Sequence, residues 1–280
     1  MTGQVHILTD STAQFLEPKF KGCQLVTMLP PEPDIHSIHQ GAVRPGRVNP
    51  HHSDSHSPTA ETFERGFTSL YQSTRDVLVL TSSQALSGAF ESAGWAASRM
   101  NGGLDIRVVD SHTTAAGLGW LVQAAARLAQ EGMQINELER HIRLAAANIY
   151  TLLCIPDLAY LARTGYLSPE QARVGEMLGL LPIFSIEEGR LTPLSKARNP
   201  RHLLDSFQEF VGEFESPQCV FYLRAAESNV QPRTRSLRDF VDRSFPEAQL
   251  IEMPVNPNLA AHIGPQSSGI IVVEKPDRLA

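Results

Sequence analysis

The stretch Val77-Leu-Val-Leu-Thr81, then Ser82-Ser-Gln-Ala-Leu-Ser87, then Gly88 to Met100 decides the fold class. An apolar run without alternation suits a strand buried on both faces, and the residues after Gly88 change to helical spacing. The same unit recurs on either side. Val5-His-Ile-Leu-Thr9 leads into Asp10-Ser11-Thr12, and Ile106-Arg-Val-Val-Asp110 leads into Ser111-His112-Thr113. Between the strands, Pro58 to Thr74 reads as a helix with Thr59 as N-cap and Phe63, Phe67 and Leu70 on one face. Gly88 to Met100 is another. Thr114 to Gly132 follows, ending on a glycine suited to a C-cap, and then Asn136 to Ile149. Strands alternating with helices predict a mostly parallel sheet.

Beyond residue 150 the pattern mixes. Leu152 to Ile155 reads as a strand, and a short amphipathic helix runs through Leu158, Tyr160 and Leu161. Ser168-Pro169-Glu170 is a helix start, with Ser as N-cap and Pro at the first helical position. Pro182 to Ile186 and Leu191 to Leu194 form a hairpin around Glu188-Gly189-Arg190, with Pro193 demoting the second arm to a sheet edge. Cys219 to Leu223 and Gly269 to Val273 are further strands. The expected architecture is therefore α/β with two lobes, 1–150 and 151–280. The first has a mostly parallel sheet and the second a mixed one. A chain of 280 residues suits this division, at roughly 100–200 residues per domain.

Composition narrows the function classes. With 24 Lys+Arg against 30 Asp+Glu, the formal charge is −6, and no basic run offers a footprint for nucleic acid or anionic lipid. Neither a signal peptide nor a membrane span is expected, because the longest apolar stretch, Leu118 to Ala129, is broken by Gln123 and Arg127. Cys23, Cys154 and Cys219 are an odd count at long spacings inside apolar runs, which points to reduced buried thiols and a cytoplasmic location. Residues 30–57 stand apart, with five prolines and five of the ten histidines and no period. That composition fits a surface loop. His36, His39, His51, His52 and His56 lack the spacing of a metal set, so no metal or other cofactor is expected.

Three strand ends deliver hydroxyls: Thr9 to Thr12, Thr81 to Ser83 and Asp110 to Thr113. In an open parallel sheet such ends face one crevice, where ligands sit. Taken singly, each also serves as a helix N-cap. Ser87 and Gly88 open a helix, where free N–H groups suit a carboxylate or a single phosphate. No nucleophile elbow, Walker loop or Gly-x-Gly-x-x-Gly fingerprint occurs, so no catalytic residue is assigned. Lys196-Ala-Arg198 and His262-Ile-Gly264-Pro265 are the cationic candidates of the second half, although Arg and His are ordinarily surface residues.

Leu8-Thr-Asp-Ser-Thr-Ala13, Leu86-Ser-Gly88, Val109-Asp-Ser111 with Gly117 and Gly119, Leu158-x-Tyr160-Leu161, Leu181-x-Ile183, Lys196-x-Arg198 and His262-Ile-Gly-Pro265 occur in one order along the chain. In this the sequence resembles the DegV family, whose members have two α/β lobes holding a long-chain fatty acid. Some members are FakB-like, the lipid-binding subunit of a fatty acid kinase. The resemblance implies a fatty-acid-binding protein rather than an enzyme. It implies that Ser83 contacts the carboxylate, with Arg198, His262 and Ser55 near it; Ser11, Ser87 and Gly88 remain ligand candidates from the strand ends and helix start above. Alternatives are a small-molecule hydrolase or phosphotransferase using Ser83 and His262, and a structural or regulatory protein with lipid as folding cofactor. Where kinase-linked members carry an arginine after the Leu-x-Tyr-Leu helix, this chain has Tyr166, which puts the kinase partnership in doubt.

Overall fold

A computed structural model describes residues 4–17, 26–30, 57–100, 102–163, 167–188, 190–225 and 234–275. Cys23, Ser55, Tyr166, Gly189 and nearly all of the 30–57 segment lie outside the described residues.

Four strands form the first sheet, β1 (His6–Asp10), β2 (Val26–Leu29), β3 (Asp76–Thr81) and β4 (Asp105–Asp110), in the order β2-β1-β3-β4. Every pairing in it is parallel, as expected of the buried apolar runs. Helices α1 (Ala60–Leu70) and α2 (Ala89–Arg99) cover one face. Thr59 caps α1, accepting a hydrogen bond from the Thr62 N–H, and Phe63, Phe67 and Leu70 pack with Leu8, Val77 and Val79. The opposite face of the sheet, through Ile7, Leu78, Leu80 and Val109, meets α3 (Ala115–Gln130) and α4 (Ile135–Ala146).

The second sheet holds β5 (Ile149–Cys154), β6 (Leu181–Glu187), β7 (Arg190–Ala197), β8 (Pro217–Arg224), β9 (Gln249–Pro254) and β10 (Ser268–Glu274), ordered β7-β6-β5-β10-β8-β9. It is mixed: only β8 and β9 run parallel. Pro193 lies in the edge strand, where the β6–β7 register shifts, because a residue without an N–H cannot serve a central ladder. Helices α7 (Pro200–Val211) and α8 (Arg235–Ser244) cover the outer face through Leu203, Phe207, Leu237 and Val241. Helices α5 (Leu158–Arg163), α6 (Pro169–Met177) and α9 (Pro257–Ile263) complete the described elements. Ser168 and Gln171 form the capping box that starts α6.

The helix after β4 is buried on nearly every side, because one apolar cluster runs from Ile7 and Leu80 through α3 and α4 to Leu153, Phe221 and Ile271. Small residues make this possible. Gly119 lets α3 approach the 11–15 loop so closely that a Cβ there would sit 1.9 Å from the Gln14 carbonyl oxygen. The fourth helix ends at Ala146 instead of Ile149. Ile149 opens β5 and faces the same cluster, so its apolar side chain satisfies either period and the sequence pattern overran the helix.

Among the described residues, no helix is long and apolar enough to cross a membrane.

Candidate functional site

Because β3 lies between β1 and β4, its outgoing loop is reached from both sides. Asp10, at the end of β1, accepts from the Ser82 N–H through Oδ2 (2.6 Å) and from the Thr12 N–H and hydroxyl through Oδ1. Asp110, at the end of β4, accepts from the Gln84 N–H (3.3 Å) and the His112 N–H (2.9 Å). Between them, the Ser83 N–H donates to the Thr113 carbonyl (2.8 Å). Three successive peptide N–H groups are thus held by three different partners. The Ser83 hydroxyl accepts from the Ala85 N–H (3.2 Å), and its own hydrogen has no acceptor among the described residues.

Holding this arrangement strains the backbone locally. His112 and Ala115 sit at φ of 53° and 47°, the left-handed region disfavoured for residues with a Cβ. Burial pushes the Asp110 carboxyl above the usual carboxylate range, while the His112 N–H, the His112 ring and the Gln84 N–H act in the opposite direction.

Hydroxyls crowd the same strand ends. Thr9, Thr81, Ser82 and Thr114 are fully buried, and their oxygens have no hydrogen-bond partner among the described residues. Native proteins rarely leave such groups unmatched. Thr9 projects from the face of β1 that carries Ile7, toward α3, and Thr114 is the N-cap of α3 with no side-chain cap bond. The Gln14 N–H donates to the Ala115 carbonyl (2.9 Å), so the loop after β1 rests on the first turn of α3.

The second sheet closes the crevice. Asn256 caps α9, accepting from the Leu259 N–H (2.7 Å), and its amide donates to the Thr12 carbonyl (2.7 Å). Asn258 donates to the Ser11 carbonyl (3.1 Å), and the Thr113 and Thr151 hydroxyls pair at 2.9 Å. His262 is four residues beyond Asn258, on the same helix face, and is buried.

Ser11, Ser83 and the helix carrying His262 therefore lie around one crevice. Ser87 is committed to the framework: its hydroxyl pairs with Ser57 (2.9 Å) and accepts from the Ala89 N–H. Gly88 begins α2 in open space, with nothing within 4 Å of an added Cβ. Arg198 follows β7 at the outer edge of the second sheet and is exposed, with its N–H on His202. Three strand spacings, roughly 14 Å, separate β7 from β10. Ser57, Thr151, Asn256 and Asn258 were not singled out from the sequence. Ser57 lies two positions from Ser55 in the same Ser-x-Ser-Pro element, which was its only signal. A hollow over α1 is lined by Glu61, Glu64, Arg65, Thr68 and Ser69.

Comparison with known proteins agrees with this architecture. A DegV-family protein of Streptococcus pyogenes is 26% identical over 232 residues, 80% of each chain. A Thermus thermophilus DegV-family protein, solved for its fatty acid binding, superposes with a TM-score of 0.71 at 23% identity, covering 97% of this chain and all of the other. The fatty acid kinase B3 protein of Streptococcus pneumoniae, loaded with linoleic acid, gives 0.73 at 18% identity, covering 98% and 100%. The DegV family model matches residues 45–275, and with that span the chain belongs to the DegV family.

Proposed function

We propose that this protein binds a long-chain fatty acid and holds its carboxylate in the crevice at the strand ends of the first sheet. The observation that carries the reading is the set of buried hydroxyls there: Thr9, Ser82 and Thr114 without partners, and Ser83 with an unspent donor. A carboxylate taken from water needs such donors, and charge-assisted bonds to them are about twice as strong as neutral ones. The apolar cluster between the sheets suits the acyl chain. Roughly fourteen buried methylenes contribute on the order of 11 kcal/mol before the entropy of immobilisation is subtracted. The solved relatives described with fatty acids support the same ligand class.

The role is binding rather than catalysis, in the cytoplasm, with His262 as a neighbour of the head group, Arg198 farther off at the edge of the second sheet, and Ser55 as a further proposed contact. Organic extraction of purified protein followed by mass spectrometry is expected to give one fatty acid per chain. No extracted lipid, together with no uptake of added oleate or palmitate, would refute the reading.

Tyr166 supports a carrier in preference to a kinase subunit, since a phenol cannot replace a cation against the charge developing in phosphoryl transfer. Loaded protein mixed with a fatty acid kinase catalytic subunit and ATP is expected to give little acyl phosphate. Efficient production by the wild type would overturn this, and a gain in Tyr166→Arg would support it.

A further inference from the structure

We infer that Asp10 and Asp110 are positioning residues for the ligand head group, acting through the loop that carries Ser83. The inference rests on the proposed binding of a fatty acid at that loop. The two carboxylates stand at the ends of the strands flanking β3, and each is buried, Asp10 at 1% exposure and Asp110 at 9%. Burying a carboxylate is costly unless its lone pairs are used. Here they are used on the backbone: Ser82 N–H from one side, Gln84 N–H from the other, with Thr12 and His112 as second donors.

Ser83 sits between the two clamped peptides, its own N–H fixed by Thr113. The aspartates therefore fix where the Ser82 and Ser83 hydroxyls point without touching the ligand themselves. The residue that donates to Asp110, His112, is itself in the left-handed region at φ 53°. Strain of this kind persists where the surroundings over-determine it. Asparagine has the same shape but only one acceptor oxygen, so Asp→Asn removes one clamp from each aspartate and places an N–H₂ against a backbone donor.

The discriminating measurement is head-group preference. Wild-type protein, Asp10→Asn and Asp110→Asn are stripped of lipid and titrated with palmitic acid and with hexadecanol, which shares the tail but lacks the carboxylate. Each variant is expected to lose roughly tenfold in affinity for the acid, about 1.4 kcal/mol, with hexadecanol affinity unchanged. A general loosening of the fold would instead weaken acid and alcohol alike. Equal losses for the two ligands, or full retention of the acid in both variants, overturn the inference. So does failure of both variants to fold, which makes the aspartates framework alone; if only Asp10→Asn fails, Asp110→Asn decides. Wild type that binds neither ligand overturns the underlying reading of function, a result distinct from all of these.

Discussion

Gly119→Ala is expected to destabilise the protein, although alanine is the better helix former. The gain from propensity is about 1 kcal/mol. Against it, the new Cβ lies 1.9 Å from the Gln14 carbonyl oxygen and 2.5 Å from its carbon, both backbone atoms. Real Cβ contacts begin near 3.0 Å, so the 11–15 loop must retreat by about 1 Å. That retreat strains two bonds, from the Gln14 N–H to Ala115 (2.9 Å) and from the Gln14 amide to the Pro254 carbonyl (2.8 Å). Each is worth about 1 kcal/mol, and overpacking adds about 1–3 kcal/mol. The net loss is about 2–4 kcal/mol, a fall in Tm on the order of 5–10 °C. Gly94→Ala is the control, since nothing lies within 4 Å of its added Cβ on the exposed face of α2, and it should raise Tm by roughly 2 °C. Calorimetry of both variants decides. A Gly119→Ala protein that melts at or above the wild type would refute the packing argument.

Asn256→Ala removes the cap of α9 and the amide bond to Thr12 together, and should cost about 2–3 kcal/mol in chemical denaturation; a loss under about 1 kcal/mol would mean the clamp between the sheets carries no weight. Burial pushes the Cys154 thiol up to about 12 and raises Cys219 as well, so maleimide at pH 8 should leave Cys154 unmodified in native protein and label it after unfolding. Peptide mass mapping that finds Cys154 labelled equally fast in both states would contradict its placement.

The elements with one clear period were legible in the sequence. Thr59 as a cap, Phe63 and Phe67 on a helix face, Ser168 with Pro169 and Pro193 on an edge each follow from the residue's own chemistry. The parallel first sheet followed from Val77 to Thr81, whose apolar run needs cover on both faces. What the sequence did not disclose depends on partners far along the chain. Asn256 reads as a helix cap from its neighbours, yet its amide also reaches Thr12, 244 residues earlier. Thr113 reads only as one hydroxyl of a strand end, and Thr151 as an ordinary threonine, until two sheets bring them together. The candidate site was legible in part for the same reason: Ser83 stands out as the end of a strand, whereas the backbone bonds made by Asp10 and Asp110 to its loop exist only because β3 lies between β1 and β4.

That strand order also sets a limit on how the crevice can hold an anion. Two buried carboxylates lie behind the Ser83 loop, and a ligand charge roughly 8 Å from either would be repelled by about 2 kcal/mol at an effective dielectric of 20. Their lone pairs face backbone N–H groups, which lowers this repulsion without abolishing it. Hydroxyl donors from Ser82, Ser83, Thr9 and Thr114 offset the remainder, each worth about 1.5–3 kcal/mol to a charged acceptor. Taking the carboxylate out of water costs several kcal/mol more, and with that included the head group comes out near balance. On the proposed binding mode, retention then comes from the acyl chain in the apolar layer between the sheets, while the hydroxyls determine which end of the ligand is held at the crevice. On this account, shortening the chain weakens binding steadily, by about 0.8 kcal/mol per methylene, whereas removing one hydroxyl chiefly reduces the preference for acid over alcohol.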